Sequence, residues 1–161
     1  MYQLRICIND YERMFNMKKI LFVCFMLFLT GCTSLGEQFN ELQPNKPGKA
    51  LVYFYRPSQF LGFGGGMTYD IHENDSTITP LCSGGYNYYY TTPGNKTYWA
   101  KTEARDEISL NVESGKTYFV KGKMGIGFIV GHPKLSQVDQ ETAMEEMKEC
   151  RIILKDDGEI D

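Results

Sequence analysis

The chain has 161 residues, with 17 Lys and Arg against 20 Asp and Glu and a formal net charge of −3 at pH 7. This length supports one ordinary domain with a single hydrophobic core. Apart from the pair Lys18–Lys19, the basic residues are scattered singly, which excludes the basic patch that a nucleic-acid-binding protein needs.

The first patterned segment, residues 17–32, has the form of an export signal. A basic pair precedes ten apolar residues at positions 20–29, and small residues lead to Cys32. A membrane-spanning helix takes about 20 apolar residues, whereas a run of about 10–14 suits the core of a signal peptide. We therefore predict a signal peptide at residues 17–31 and interpret residues 1–16 as an extension from a misplaced start codon. The alternative is that residues 20–29 form a buried helix or strand of a cytosolic domain.

The tetrapeptide at positions 29–32, Leu-Thr-Gly-Cys, resembles the bacterial lipobox, in which the cysteine is acylated and becomes the mature N-terminus. The resemblance implies a lipoprotein signal, with acyl chains such as palmitate attached at Cys32. Thr33 stands where an aspartate would favour retention in the inner membrane. We therefore expect a protein that is anchored by its lipid to the outer membrane and faces the periplasm.

Two cysteines, Cys82 and Cys150, remain after cleavage at Cys32. In an oxidising compartment they are candidates for a disulfide, which would close a loop of about 69 residues. The alternative is two separate buried thiols. A metal site formed by these cysteines with His72 and His132 has no recognisable ligand spacing, so we predict neither a metal nor a cofactor.

The mature chain opens with a polar stretch that includes Pro44 and Pro47, and we predict an acylated cysteine and flexible tether over residues 32–49. From residue 50 onward, short runs of β-forming residues alternate with turn residues. These runs predict about eight strands, at residues 50–55, 67–72, 76–82, 86–92, 96–102, 107–112, 116–123 and 127–131.

The C-terminal part predicts one helix, because Asp139 is a suitable N-cap and acidic residues occupy the following turn. A last short strand at residues 151–154 and an acidic tail at residues 155–161 follow. Strands this closely spaced are typical of a sandwich or a barrel. We therefore predict a mainly β domain over residues 50–154, an antiparallel β-sandwich with one C-terminal helix.

Three motifs carry a family resemblance: Ala-Leu-Val-Tyr-Phe-Tyr-Arg-Pro at residues 50–57, the Pro93-Gly94 turn, and Gly-Lys-Thr-Tyr-Phe-Val at residues 115–120. Together with the lipobox, their order resembles the bacterial lipoproteins grouped as domain of unknown function 2846. The resemblance covers about a hundred residues, from Ala50 to roughly Ile152. It implies a compact β-sandwich of the transthyretin and carboxypeptidase-regulatory type, and it carries over no catalytic residues.

The strand at residues 86–92 is rich in tyrosine on both faces. Tyr86, Tyr88 and Tyr90 share one face, while Tyr89 lies on the other. A sandwich strand has only one core face, so one of the two sets should be partly exposed. We predict that these four tyrosines, joined by Trp99, form a surface that binds an envelope protein or a glycan. The alternative is ordinary packing with the hydroxyl groups at the rim.

Signs of catalysis are weak. Asp70 and His72 share a strand face, but no nucleophile accompanies them and no Gly-x-Ser-x-Gly elbow is present. The glycine-rich loop at residues 62–66 lacks the following helix or Lys-Ser/Thr pair of a phosphate cradle. We therefore predict a membrane-anchored, non-catalytic binding or structural module. The alternatives are a scaffold lipoprotein of a secretion assembly, or a carbohydrate-active or metal-dependent hydrolase that uses Asp70, His72 and His132.

Overall fold

Strands dominate the computed structural model, which describes residues 35–58, 66–125 and 131–154. The predicted extension, the signal peptide, Cys32, most of the glycine-rich loop and the acidic tail lie outside these residues. The described elements are β1 Leu35–Gln38, β2 Ala50–Arg56, β3 Tyr69–Glu73, β4 Ser76–Leu81, β5 Gly85–Thr91, β6 Gly94–Lys101, β7 Arg105–Val112, β8 Thr117–Gly125, β9 His132–Val138, α1 Gln140–Met147 and β10 Arg151–Ile153.

The strands form two sheets. One has six strands in the order β1-β10-β5-β2-β8-β9, and the other has four in the order β4-β3-β6-β7. Most neighbours are antiparallel, but β10 pairs with β5, and β2 with β8, in parallel. The prediction of a mainly β, antiparallel-rich sandwich with one helix near the C-terminus is confirmed.

Strand β2 is the centre of the six-stranded sheet and is buried at every position. Its alternate residues Ala50, Val52 and Phe54 enter the core between the two sheets. Leu51 and Tyr53 enter a second apolar cluster on the opposite face of the same sheet. A strand that is buried on both faces has apolar residues at consecutive positions. This explains the uninterrupted apolar and aromatic sequence of the strand.

The second apolar cluster is covered by α1 and by the segment before β2, so the predicted tether over residues 32–49 is wrong from Leu35 onward. Leu35 pairs with Ile153 in β10, and Phe39 is only 7% exposed. The Phe39 amide donates to the carbonyl of Cys150 at 2.9 Å. Two isolated apolar residues, Phe39 and Leu42, hold this otherwise polar stretch on the sheet.

Strand β9 runs through Pro133, beyond the end of the strand predicted at residues 127–131. It lies at the edge of its sheet, where proline is tolerated because an edge strand does not need every N–H for pairing. Most of the strand predicted at residues 127–131 lies outside the described residues. The helix begins as predicted: the Asp139 side chain accepts from the Thr142 amide at 2.9 Å.

Candidate functional site

Three of the predicted surface tyrosines lie together but are covered. Tyr86 is 8% exposed, and its ring centroid lies 5.4 Å from that of Phe39, edge to face. Tyr88 and Tyr90 are half-buried beside it, 5.9 Å apart. The Tyr90 hydroxyl donates to the carbonyl of Pro44 at 2.7 Å. These side chains therefore hold the N-terminal segment in place.

Tyr89 points away from this group, into the space between the two sheets. Its hydroxyl donates to Oε2 of Glu73 at 3.3 Å, and the Lys96 ammonium lies 3.2 Å from Oε1 of the same carboxylate. Burial and the neighbouring Glu73 raise the pKa of Tyr89. The five predicted residues thus do not form one surface, because Tyr89 joins the core and Trp99 lies on the other sheet.

Trp99 lies on β6, on the outer face of the four-stranded sheet, between residues from both neighbouring strands. His72 on β3 stacks on it, with ring centroids 4.1 Å apart and planes at 17°. The Arg105 guanidinium from β7 lies 4.4 Å from the Trp99 ring centroid. Since β6 lies between β3 and β7, the imidazole and the guanidinium approach the indole from opposite sides.

Polar contacts fix the members of this stack. The Trp99 indole N–H donates to the carbonyl of Asn74 at 2.8 Å. Nδ1 of His72 lies 3.2 Å from the Thr77 hydroxyl, and Arg105 pairs with Glu107 at 2.9 Å. The half-buried indole is therefore held in one orientation, with charged groups at its rim.

We call this surface the Trp99 face. Its members alternate along adjacent strands and share the outward side of the sheet: His72, Thr97, Trp99, Arg105, Glu107 and Ser109. The hydroxyl groups of Thr97 on β6 and Ser109 on β7 are hydrogen-bonded to each other at 2.8 Å. The residues on β7 were missed in the sequence, although the alternation of Glu107 and Ser109 with the less exposed apolar residues Ile108 and Leu110 was a usable signal.

The residues of the hydrolase alternative are not assembled into a site. Asp70 and His72 lie on β3 of the four-stranded sheet, whereas His132 begins β9 in the six-stranded sheet. Nδ1 of His132 is buried without a hydrogen-bond partner among the described residues. Within residues 35–58, 66–125 and 131–154, no three His, Cys, Asp or Glu side chains converge as metal ligands would.

The candidate disulfide is not formed in this structure: Cys82 and Cys150 are both free, buried thiols. They belong to the two apolar clusters on opposite faces of the six-stranded sheet, Cys82 between the sheets and Cys150 beneath α1. Burial raises the pKa of Cys82 and, aided by Glu146, raises that of Cys150 to about 12. The structure therefore agrees with the alternative of two separate buried thiols.

The fold and its surfaces define a small two-sheet β-sandwich module with one covered aromatic face and one polar face that carries a fixed tryptophan. The family model described as protein of unknown function (DUF2846) matches residues 46–132, more than half of the 161 residues. The chain belongs to this family. The matched region contains β2 to β8, the strands that build most of both sheets.

Comparison with curated proteins and with solved structures finds no match for the chain. In the described part of the chain, no helix has the length and apolar character needed to cross a bilayer.

Proposed function

We propose that this protein is a lipid-anchored, non-catalytic binding module of the bacterial cell envelope. The basic pair, the apolar run of ten and the Leu-Thr-Gly-Cys tetrapeptide support attachment of lipid at Cys32. Two or more acyl chains give stable anchoring, whereas a single chain gives only marginal attachment. With Thr33 after the acylated cysteine, the outer membrane facing the periplasm is the proposed location.

The observation that supports a binding role is the fixed indole of the Trp99 face. Tryptophan and arginine are enriched among residues that dominate binding energy at protein interfaces, and here they are stacked at 4.4 Å. An indole already held by its neighbours loses little conformational freedom on binding, which lowers the entropic cost of association.

The same stack favours a protein partner over a glycan. A sugar ring packs on an open aromatic face, but His72 and Arg105 already cover the two sides of the Trp99 ring. What the surface offers is the indole edge, the paired charges of Arg105 and Glu107, and the hydroxyls of Thr97 and Ser109. These groups suit the polar rim and aromatic anchor of a transient protein interface.

Crosslinking and pull-down from whole envelopes tests the proposal. We expect the wild type to retain one protein partner, and Trp99→Ala and Glu107→Lys to reduce its recovery at least about tenfold, as expected for an interface anchor. Lys134→Ala on β9, an exposed residue of the other sheet, is the matched control and should bind like the wild type. Because Glu107 is exposed, its variant should fold even if Trp99→Ala does not.

Equal recovery by Glu107→Lys, Trp99→Ala and the wild type would contradict binding through this face. Retention of an envelope glycan in place of a protein would contradict the choice of partner. A partner that belongs to a secretion apparatus would support the scaffold form of the same role.

A further inference from the structure

The N-terminal segment that covers the aromatic face of the six-stranded sheet is itself little buried. We call residues 35–47, all of which the structure describes, the strap. Within the strap Phe39 is buried, Gly36 and Leu42 are half-buried, and the other residues are exposed. A segment with so few buried side chains opens at a lower free energy than the core strands beneath it.

The strap lies on four tyrosines, Tyr53 of β2 and Tyr86, Tyr88 and Tyr90 of β5, which we call the tyrosine surface. The Tyr88 ring contacts both Tyr53 and Tyr90, with centroids 5.9 Å apart in each pair. The Phe39 ring of the strap lies 6.4 Å from Tyr53 and 5.4 Å from Tyr86. The surface thus accepts one aromatic side chain and continues beside it as a row of rings.

Two hydroxyl groups of the tyrosine surface bind the backbone of the strap and not its side chains. The Tyr53 hydroxyl accepts from the Gln43 amide at 2.6 Å, and the Tyr90 hydroxyl donates to the carbonyl of Pro44 at 2.7 Å. Every residue has a carbonyl group, and every residue except proline has an N–H. These two bonds are therefore available to any chain that follows the same path.

The strap also has the composition of an extended peptide ligand. Pro44 and Pro47 are three residues apart, which is one turn of a polyproline II helix. Proline fixes its own φ and favours an extended backbone at the residue before it, here Gln43 and Lys46. The Lys46 ammonium lies 4.3 Å from the centre of the Tyr90 ring. Binding of a preformed, proline-containing backbone to an aromatic groove is a recurring mode of peptide recognition.

A turn joins the strap to the domain and provides a hinge. The Lys49 amide donates to the carbonyl of Lys46 at 3.1 Å, and Gly48 between them has a φ of 74°, which glycine adopts without strain. At the other end of the strap, β1 is an edge strand that pairs with β10 at Leu35 and Gln38. Detaching the strap therefore leaves the pairing among strands β2 to β10 in place.

We propose that the tyrosine surface is a binding site for an extended, proline-containing segment of another protein, and that the strap is its displaceable cover. The strap shows the chemistry that the site accepts: an aromatic residue at the position of Phe39 and a proline at the position of Pro44, five residues later. The site lies on the six-stranded sheet, whereas the Trp99 face lies on the four-stranded sheet. The proposal depends neither on the lipid anchor nor on the Trp99 face.

A second copy of this chain is a weak competitor for the site. Its strap offers the same contacts as the resident strap, so an exchange adds no interaction and costs the entropy of association. The resident strap is covalently attached, which gives it an effective concentration of the order of millimolar. A segment of another protein can make contacts that the strap lacks, because most strap side chains are exposed.

The test measures binding of a fluorescent peptide to the full-length protein in detergent solution. The probe is fluorescein-labelled and has the sequence of residues 37–48, Glu-Gln-Phe-Asn-Glu-Leu-Gln-Pro-Asn-Lys-Pro-Gly. Phe39→Ser removes the buried side chain of the resident strap. By fluorescence polarisation this variant should bind the probe at least about tenfold more tightly than the wild type, whose strap occupies the site.

Two altered probes test the chemistry of the ligand. One has serine in place of phenylalanine, and the other has alanine in place of both prolines. Each should bind the Phe39→Ser protein several times more weakly than the original probe. Equal binding of all three probes would contradict recognition of an aromatic, proline-containing segment.

A matched pair of tyrosine variants in the Phe39→Ser protein locates the probe. Tyr90→Phe removes the hydroxyl that donates to the backbone of the strap and should weaken probe binding several-fold. Tyr89→Phe removes the neighbouring hydroxyl on the opposite face of β5, which donates to Glu73, and should leave binding unchanged. Equal effects of the two variants would contradict binding at the tyrosine surface.

Circular dichroism establishes which variants fold. If Phe39→Ser does not fold, Leu42→Ser takes its place, because it changes only a half-buried side chain of the strap. A folded strap variant that binds the probe no more tightly than the wild type would overturn the proposal. Light scattering should show a monomeric wild type, and a dimer that the probe dissociates would overturn the choice of another protein as the partner.

Discussion

The Phe39 ring stands edge-on against Tyr86, with centroids 5.4 Å apart and ring planes at 90°. This contact joins the segment before β2 to the outer face of the six-stranded sheet. Phe39 lies 6.4 Å from Tyr53 as well, and the Tyr53 hydroxyl accepts from the amide of Gln43 at 2.6 Å. An aromatic set that could have been a ligand surface instead binds the protein's own N-terminal segment.

The first prediction concerns this segment. Phe39→Ala should lower the free energy of unfolding by about 3 kcal/mol, because a buried ring is removed and the sheet below is uncovered. Leu35→Ala is the control in the same segment. Because Leu35 is 38% exposed, this substitution should lower the free energy of unfolding by less than about 0.5 kcal/mol. Urea unfolding of a soluble form beginning at Thr33 measures the free energy of unfolding of both variants. Similar losses in the two variants would indicate that this segment is a free tether.

The second prediction concerns two glycines of β8. A Cβ atom at Gly122 would collide with the Tyr69 hydroxyl and would lie 2.6 Å from Cδ2 of Leu81. Gly122→Ala should therefore destabilise the protein by about 1–3 kcal/mol through overpacking between the sheets. At Gly125 the nearest atom is the carbonyl oxygen of His132, at 3.6 Å, so Gly125→Ala should change stability little. Thermal unfolding that ranked the two variants in the opposite order would contradict the packing described here.

The third prediction is a pH dependence centred on Glu146. Its burial would raise the pKa, but hydrogen bonds from Lys121 and Tyr55 outweigh burial and hold the pKa below its usual range. The Tyr55 hydroxyl donates to Oε2 at 2.7 Å. A carboxyl whose pKa is lower in the folded state stabilises the protein above its unfolded pKa of about 4.3, and this contribution is lost as the pH falls through the folded pKa.

The wild type should therefore lose stability as the pH falls from about 5 toward 3, and Glu146→Gln should lose less over that interval. At pH 7, Glu146→Gln should be less stable than the wild type by about 1 kcal/mol, because the remaining amide accepts more weakly. The urea unfolding midpoints of the wild type and of Glu146→Gln, measured across this pH range, test the prediction. Parallel pH profiles for the two proteins would show that Glu146 has no such role.

The fourth prediction concerns the two thiols. With Cys82 and Cys150 buried in separate clusters and their pKa values raised, neither should react with an aromatic disulfide reagent at pH 8 in the folded protein. After denaturation without reductant, the soluble form should release two equivalents of thiol. A non-reducing mass two hydrogens lower, with no titratable thiol, would show that a disulfide forms and that the chain rearranges to allow it.

The sequence predicted those features that depend on local pattern. The apolar run at residues 50–55 predicted a strand, and the strand occupies Ala50–Arg56. Asp139 predicted the start of α1 because an N-cap is a local interaction, confirmed by its bond to the Thr142 amide. The repeated spacing of strands and turns predicted the sandwich.

Features that depend on pairing between distant segments were not predictable. A polar stretch with one phenylalanine gave no sign that Phe39 would cover Tyr86, 47 positions later in the chain. Tyr86, Tyr88 and Tyr90 alternate along β5, but alternation does not say which face another segment covers. The sequence grouped Trp99 with the tyrosines of β5, but Trp99 lies on the other sheet. Its stack requires the order β3-β6-β7, which no local pattern specifies.

The central claim is that lipid on Cys32 holds this domain at a membrane, and metabolic labelling with palmitate tests it most directly. Label should enter the wild-type protein and be absent from Cys32→Ser, which should also leave the membrane fraction. Equal labelling of the two proteins, or no labelling of the wild type, would contradict the account.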